Sequence, residues 1–363
     1  MESSNAKPGH RIQIGRCIKN LAKLRLAAQR LIGSRFTTPI EAARWLLALQ
    51  AQDLPGAKWA LGLRAPGTTL ADVDAALAAG TIVRSWPMRG TLHITPAEDL
   101  KWMLALMTPR VLAGLTKRQT ELKLDAKTLG KAGDVARKAL AGKRLDRQGM
   151  FAALDKAKLN ADPHRGYHML FYLAQTGVVC MGPEDSYVLV DEWIKTSREL
   201  VREAALGELA LRYYRSHGPA TVADLTRWGK LTVGDAKLGT QLAAPDLAKQ
   251  GDYYFDEATL AIEAPTPVLA LPGFDELILG YADRTCTLSD DLAEKIVPGG
   301  NGVFISTVVA NGIVIGTWAR AQKAKHVAIT TKRFAPWPAA VEKGFARAAE
   351  AYGAFIGKPV VVT

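Results

Sequence analysis

Apolar residues recur along the chain at two alternating periods. Residues 18–32 put Leu21, Leu24, Ala28 and Leu31 on one helical face and basic residues on the other. That predicts an amphipathic helix ended by Gly33-Ser34. Thr38-Pro39-Ile40-Glu41 is a capping box with proline at the first helical position, so a helix should run to about Leu49. Thr69-Leu70-Ala71-Asp72 is a similar device, for a helix ended by Gly80. The period then changes to two. Residues 81–86 and 90–95 read as strands around Pro87-Met88-Arg89. Thr95-Pro96-Ala97-Glu98 is another capping box, for a helix to about Met107.

This order of helices followed by a hairpin recurs. Residues 110–124, 134–141, 147–158 and 164–176 read as helices, and 178–181 and 187–190 as strands. A third round has a long helix over 199–217, broken by Gly218-Pro219. Two short helices follow, capped at Thr221 and Thr232 and joined by a tight turn, as in a helix-turn-helix. Strands over 250–255 and 259–263 complete that round. After Pro265-Thr266-Pro267, β-branched runs flank Asn311-Gly312, a strong hairpin signal. A strand over 325–330, a helix over 337–355 and a strand over 359–362 end the chain. The expected fold class is α+β, with three tandem winged-helix units and a β-rich C-terminal part. The units are 15–109, 110–196, 197–265 and 266–363, after a disordered lead-in over 1–14.

Charge adds a partner. The 363 residues carry 47 Lys and Arg against 35 Asp and Glu, a formal net charge of +12. So basic a chain suits a polyanion. No apolar run is long enough to span a membrane, and the polar first ten residues are unlike a secretory signal. Cys17, Cys180 and Cys286 are odd in number and far apart, which fits a reducing, cytoplasmic setting rather than a disulfide framework. His164 and His168 stand four apart but have no third ligand nearby, so no metal is expected. Pro298-Gly299-Gly300-Asn301-Gly302 does not join a strand to a helix, which excludes a phosphate-binding loop.

Three stretches could carry chemistry. Gln50-Ala51-Gln52-Asp53 lies where a helix gives way to Pro55-Gly56. Side chains two apart diverge on a helix but point the same way on an extended segment. Both amides can serve one site only if the helix stops at or just before Gln50. They could then orient a water, or they could simply cap a helix end. Asp53 could support the glutamines or cap the next turn. Arg84, Trp86, Met88, Arg89 and His93 surround a tight hairpin and could stack on bases or hold phosphate, or could pack as core. Phe274-Asp275-Glu276 and Asp283-Arg284 offer paired carboxylates, for acid–base work or for ion pairs with the abundant basic residues.

Together these motifs are similar to those of a known family. Leu49-Gln50-Ala51-Gln52-Asp53, Ser85-Trp86-Pro87-Met88-Arg89-Gly90-Thr91-Leu92-His93, Phe274-Asp275-Glu276, Gly280-Tyr281, Asp283-Arg284, Pro298-Gly299-Gly300-Asn301-Gly302 and Gly316-Thr317-Trp318 occur in an order that resembles the AlkZ/YcaQ-like winged-helix DNA glycosylases. The resemblance runs from about residue 15 to the end. It implies three winged helices in a C-shape around a basic channel for double-stranded DNA. Gln50 and Gln52 match the Gln-x-Gln signature of the AlkZ branch, which implies they are catalytic. The implied reaction is hydrolysis of the N-glycosidic bond of N-alkylated purines, including N7-alkylguanine and interstrand cross-links. It implies no cofactor. Asp53 would support the pair, and Arg84, Trp86, Met88, Arg89, His93, Arg284 and Asn301 would touch DNA. A monomer is expected, because three modules can already clasp a duplex. The alternative from composition and fold is a non-catalytic winged-helix DNA-binding regulator.

Overall fold

The structure, a computed structural model, describes residues 20–363. The lead-in expected over 1–14, Cys17 and the first residues of the helix expected from 18 lie outside them. From Leu21–Ala28 onward the capping signals set the helices. At Thr38 and Thr69 the hydroxyl accepts the amide three residues on, while Glu41 or Asp72 accepts the cap residue's own amide. These reciprocal bonds satisfy donors that a first helical turn leaves unpaired. They start helices Pro39–Leu46 and Leu70–Ala78, with Leu54–Arg64 between them.

The first sheet holds β1 (Leu49–Gln50), β2 (Ile82–Met88), β3 (Thr91–Pro96), β4 (Val179–Met181) and β5 (Tyr187–Leu189), in the antiparallel order β1-β3-β2-β4-β5. The second hairpin therefore adds to the first, with Arg84 opposite Met181. The boundary expected after 109 divides the chain but not the sheet. Three local expectations are corrected here. The hairpin turns at Arg89-Gly90, not at Pro87-Met88-Arg89. Met88 pairs with Thr91, and φ is +58° and +73° at the two turn residues, as a tight two-residue turn requires. Thr95 is not a helix cap, because its hydroxyl donates to Leu47 O at 2.8 Å. It stays in β3, and the helix begins only at Leu100 and runs through Pro109 to Ala113.

Helices Thr116–Glu121, Ala126–Leu140, Arg147–Lys156 and Pro163–Gln175 follow. In the third round, helix Arg202–His217 precedes Val222–Gly229 and Val233–Ala243, capped by Thr221 and Thr232 and joined at left-handed Lys230. The hairpin pairs β6 (Ala248–Gln250) with β7 (Tyr253–Phe255). The strand expected over 259–263 is instead the 3-10 turn Glu257–Ala261, started by Asp256 accepting the Ala258 amide. The C-terminal sheet has β8 (Leu269–Leu271), β9 (Thr307–Ala310), β10 (Ile313–Gln322), β11 (Val327–Arg333) and β12 (Val360–Val362), in the order β12-β11-β10-β9-β8. Asn311-Gly312 makes the β9–β10 turn, with φ of +51° and +81°. Helix Ala339–Ile356 covers the sheet through Phe345, Ala349, Tyr352 and Phe355. No helix among the described residues is long and apolar enough to cross a membrane.

The first and last units share one core. Leu26, Leu46, Leu61 and Ile94 pack in the same cluster as Leu271, Val309, Trp318 and Tyr352. Trp59 donates its indole N–H to Ala270 O at 2.8 Å, and its ring lies 5.2 Å from Tyr352 and 5.3 Å from Phe355. Gly62 admits that packing, since a Cβ there would fall 2.6 Å from the Phe355 ring.

At the centre, Arg64 is 0% exposed and uses every guanidinium nitrogen. Nη1 and Nη2 grip Asp275 at 2.9 and 3.0 Å, and the remaining bonds reach Gln29 O, Gln29 Oε1 and Ala60 O. Deleting one partner of such a pair strands a buried charge. Arg64→Leu should therefore lower stability by about 3–5 kcal/mol in urea unfolding. A loss under about 1 kcal/mol would show that the pair is not a central tie.

Candidate active site

Helix Pro39–Leu46 ends three residues earlier than its capping box and periodicity predict. Leu47 adopts φ +65° and ψ −47°, and the Ala48 amide donates back to Leu46 O at 2.8 Å. This is a γ-turn in a strained region for a branched side chain, costing about 1–3 kcal/mol. The surroundings hold it: Leu47 is fully buried, its carbonyl accepts from Thr95, and its amide donates to Ala43 O. The turn converts helix to strand within one residue. Leu49 and Gln50 then pair with Ile94 and His93, and Ala51 donates to Leu92 O.

Gln50 is therefore on extended backbone, and Gln52 follows in a bend two residues on, close enough for the two amides to meet. Gln50 Nε2 donates to Gln52 Oε1 at 2.8 Å. Gln50 is 7% exposed, whereas Gln52 is exposed. The bond leaves the Gln50 carbonyl oxygen and both Gln52 amide hydrogens without partners among the described residues. The pair offers acceptors and donors on neutral groups, one anchored and one at the surface.

Asp53 neither caps the next helix nor bonds to the glutamines. Both of its oxygens accept from Arg320 Nη2 on β10, at 2.9 and 2.8 Å. Gly56 makes room, since a Cβ there would fall 2.4 Å from Asp53 Oδ2. Arg320 in turn lies over Trp318 and Tyr352. No local sequence signal marked Arg320, because its partner is 267 residues away. Arg84 holds the other side of the loop. Its Nε donates to Ala51 O at 3.0 Å, and its Nη1 pairs with Asp185 at 2.5 Å.

The structure turns most of the expected DNA contacts inward. Trp86 is buried edge-on to Phe171, and Met88 is fully buried in the core beside Trp102 and Trp228. His93 is fully buried. Arg89 donates to Trp228 O at 2.8 Å and to His93 Nε2 at 2.9 Å. A guanidinium can only donate, so His93 Nε2 accepts and its proton sits on Nδ1, facing Thr91 O at 2.9 Å. Burial first, then the Arg89 charge, holds the His93 pKa well below the usual histidine range. Met88 packs with Leu47 and Ala48, and Arg89 braces His93, the cross-strand partner of Gln50, while Trp86 belongs to the core of the second unit. Arg284 is half-buried with its Nε on Ile278 O, while Asn301 is exposed and its side chain accepts the Val303 amide within the glycine-rich loop.

The carboxylates of Phe274-Asp275-Glu276 are ion-pair and hydrogen-bond partners. Asp275 holds Arg64. Glu276 Oε2 accepts from the Trp228 indole at 2.9 Å and faces His217 Nε2 at 3.3 Å. Cross-strand partners share a face of a sheet, so Gln50 and His93 point the same way. Through Arg89 and Trp228 that face leads to Glu276 and the third unit. Cys180 is buried in the core, and burial pushes its thiol up to about 12. Among the described residues no group of His, Cys, Asp or Glu could hold a metal.

Comparison with known proteins fits this arrangement. A family model described as DNA glycosylase AlkZ-like matches residues 43–355. The chain is 25% identical over 311 residues to the interstrand DNA cross-link repair glycosylase of Streptomyces sahachiroi, covering 75% of this chain and 80% of that protein. The solved structure of Streptomyces sahachiroi DNA glycosylase AlkZ matches 95% of this chain and 98% of that one, with a TM-score of 0.78 at 21% identity. At that identity the structural likeness speaks for the fold.

The neutral His93 gives a pH test. An unfolded histidine titrates near its ordinary value of about 6.5, but folded His93 resists protonation. As pH falls through about 6.5, the unfolded chain binds a proton that the folded protein refuses, so stability drops. Urea midpoints measured on both sides of that pH should fall less steeply in His93→Gln than in the wild type. Equal slopes would mean that His93 is not held neutral.

Proposed function

The chain belongs to the AlkZ-like family of DNA glycosylases, and we propose that Gln50 and Gln52 position the water that hydrolyses the N-glycosidic bond of an N-alkylated purine, N7-alkylguanine above all. The observation that carries this reading is their 2.8 Å amide–amide bond just beyond a strained turn. That bond orients both side chains together and leaves the Gln50 carbonyl oxygen free. Family membership as a DNA glycosylase sets aside the alternative of a non-catalytic regulator.

The chemistry follows from neutral groups. An N7-alkylated guanine is already cationic, so its glycosidic electron pair leaves with the base without prior protonation. The sugar becomes oxocarbenium-like. Water, donating a hydrogen bond to a glutamine oxygen, adds at C1′ and loses its proton to solvent. The products are the free alkylpurine and an abasic sugar. Amide dipoles stabilise the developing cation only modestly compared with a carboxylate. Asp53, the carboxylate nearest in sequence, is occupied by Arg320. Such a site suits labile, cationic lesions and handles ordinary purines poorly.

The exposure of Gln52 supports an open site that admits a bulky adduct with limited base flipping. The name of the Streptomyces relative, an interstrand cross-link repair glycosylase, points the same way. The substrate on this reading is double-stranded DNA, bound by a cytoplasmic monomer without a cofactor. Exposed Lys323 and Lys325 at the β10–β11 turn, just beyond the strand that carries Arg320, are further candidates for phosphate contact.

Gln50→Ala and Gln52→Ala should each slow release of N7-methylguanine from a duplex by about 10²-fold or more while retaining duplex affinity. Base release and abasic sites revealed by heat or alkali give the rate, and a binding titration gives the affinity. Wild-type release by both variants would remove the glutamines from the mechanism.

A further inference from the structure

Three arginines from separate segments converge around Trp228 on the Gln50 side of the first sheet. Arg89 comes from the β2–β3 turn and donates to Trp228 O. Arg227 precedes Trp228 on helix Val222–Gly229. It is exposed, and its guanidinium has no hydrogen bond or ion pair among the described residues. Arg284 arrives on the segment after Tyr281, because Asp224 Oδ1 accepts the Ala282 amide at 2.8 Å. Asp224 and Arg227 are three apart and so share a helix face. That contact brings Arg284 toward Arg227.

Arg284 is built into the wall. Its Nε donates to Ile278 O at 2.6 Å, and its guanidinium lies 5.1 Å over the Phe304 ring. Its Nη2 is buried without a partner. Burial, then the Arg227 charge, pulls the Arg284 pKa down to about 10, so it is still charged at neutral pH. Burial lowers the Arg89 pKa, and the Arg227 charge adds to that against the opposing pull of Glu276. Two carboxylates face this group, and each accepts from protein donors, although Glu276 Oε1 is buried without a hydrogen-bond partner. Glu276 Oε2 accepts from Trp228, and Asp224 caps its own helix and lies 3.6 Å from Arg25.

Clustered guanidinium charge is badly placed next to a reaction that generates a cationic sugar. It becomes useful once an anion neutralises it. Guanidinium groups match phosphate oxygens in charge and in planar fork geometry. Gln50 shares its sheet face with His93, which receives a hydrogen bond from Arg89. An anion held here would therefore lie on the glutamine side.

We propose that Arg227 and Arg284 form a notch for one DNA backbone phosphate beside the cleaved nucleotide, registering its sugar against Gln50 and Gln52. The reference to the cleaved nucleotide rests on the glycosylase reading above. The notch makes the third unit part of the active site, not merely a distant duplex contact.

The test is the salt dependence of binding to a short duplex carrying 2′-fluoro-N7-methylguanine, whose fluorine slows cleavage. Each contacted phosphate adds about 0.9 to the slope of log affinity against log salt. Arg227→Gln should lower the slope by about that amount. In a parallel series, each phosphate near the lesion is replaced in turn by a neutral methylphosphonate. One position should weaken the wild type clearly more than Arg227→Gln, in which only Arg284 still meets that phosphate. An unchanged slope, or methylphosphonates that weaken both proteins alike at every position, would overturn the notch. Arg284 also braces Ile278 and Phe304, so its variants can fail by misfolding. Exposed Arg227 keeps the test decisive. Release of N7-methylguanine from the unfluorinated duplex is read alongside. Release with an unchanged slope discards the notch and keeps the glycosylase reading, whereas a lowered slope without release does the reverse.

Discussion

The fully buried Arg64–Asp275 pair organises the molecule. Arg64 ends the helix that follows the glutamines, and Asp275 caps the short helix Glu276–Leu279 just after β8 of the C-terminal sheet. A buried guanidinium is tolerable only when its donors are satisfied, and here the bonds come from three separate segments. The pair therefore fixes the first unit against the last. Gln29, which accepts from Arg64, also donates to the Tyr281 hydroxyl, and that hydroxyl donates to His217 O. One polar chain thus crosses from the first unit through the C-terminal segment to the third.

That rigidity lets the chain hold an unfavourable turn where the site needs one. Leu47 sits in a strained conformation because the Thr95 hydroxyl and a packed core leave it no alternative. The turn places Gln50 on a short edge strand with Gln52 in the bend just after it, and neutral His93 is the cross-strand neighbour of Gln50. The nearby carboxylates, Asp53 and Glu276, are both engaged by protein donors. What the glutamine pair itself presents to the reacting sugar is dipolar, not ionic. On the proposed mechanism, a neutral pair of this kind would distinguish substrates by how readily the leaving group departs, because it has no strong acid or base with which to assist a poor one.

Much of the scaffold was legible locally. The capping boxes at Thr38, Thr69 and Thr221 formed, since their partners lie three residues away. Asn311-Gly312 turned as its conformational freedom allows. The similar motif at Thr95 failed because Leu47, 48 residues away, claims the hydroxyl. The need for extended backbone at the glutamines also followed from side-chain direction alone. The exchange of roles around them did not. Arg89, His93 and Trp86 have the composition of a nucleic-acid surface, and only long-range packing makes them interior. Arg320 and the juxtaposition of Arg227 with Arg284 depend on contacts between distant segments, which a single sequence does not reveal.

The central claim is that a neutral glutamine pair cleaves by exploiting charge already present on the lesion. The most direct measurement compares single-turnover release, by the wild-type enzyme, of N7-methylguanine and O6-methylguanine placed at the same position in one duplex. Both carry a single methyl group, but only the first is a cation. The account predicts release of N7-methylguanine and no detectable release of O6-methylguanine at saturating enzyme. Comparable release of both would contradict it, because a neutral base needs acid assistance that these residues do not supply.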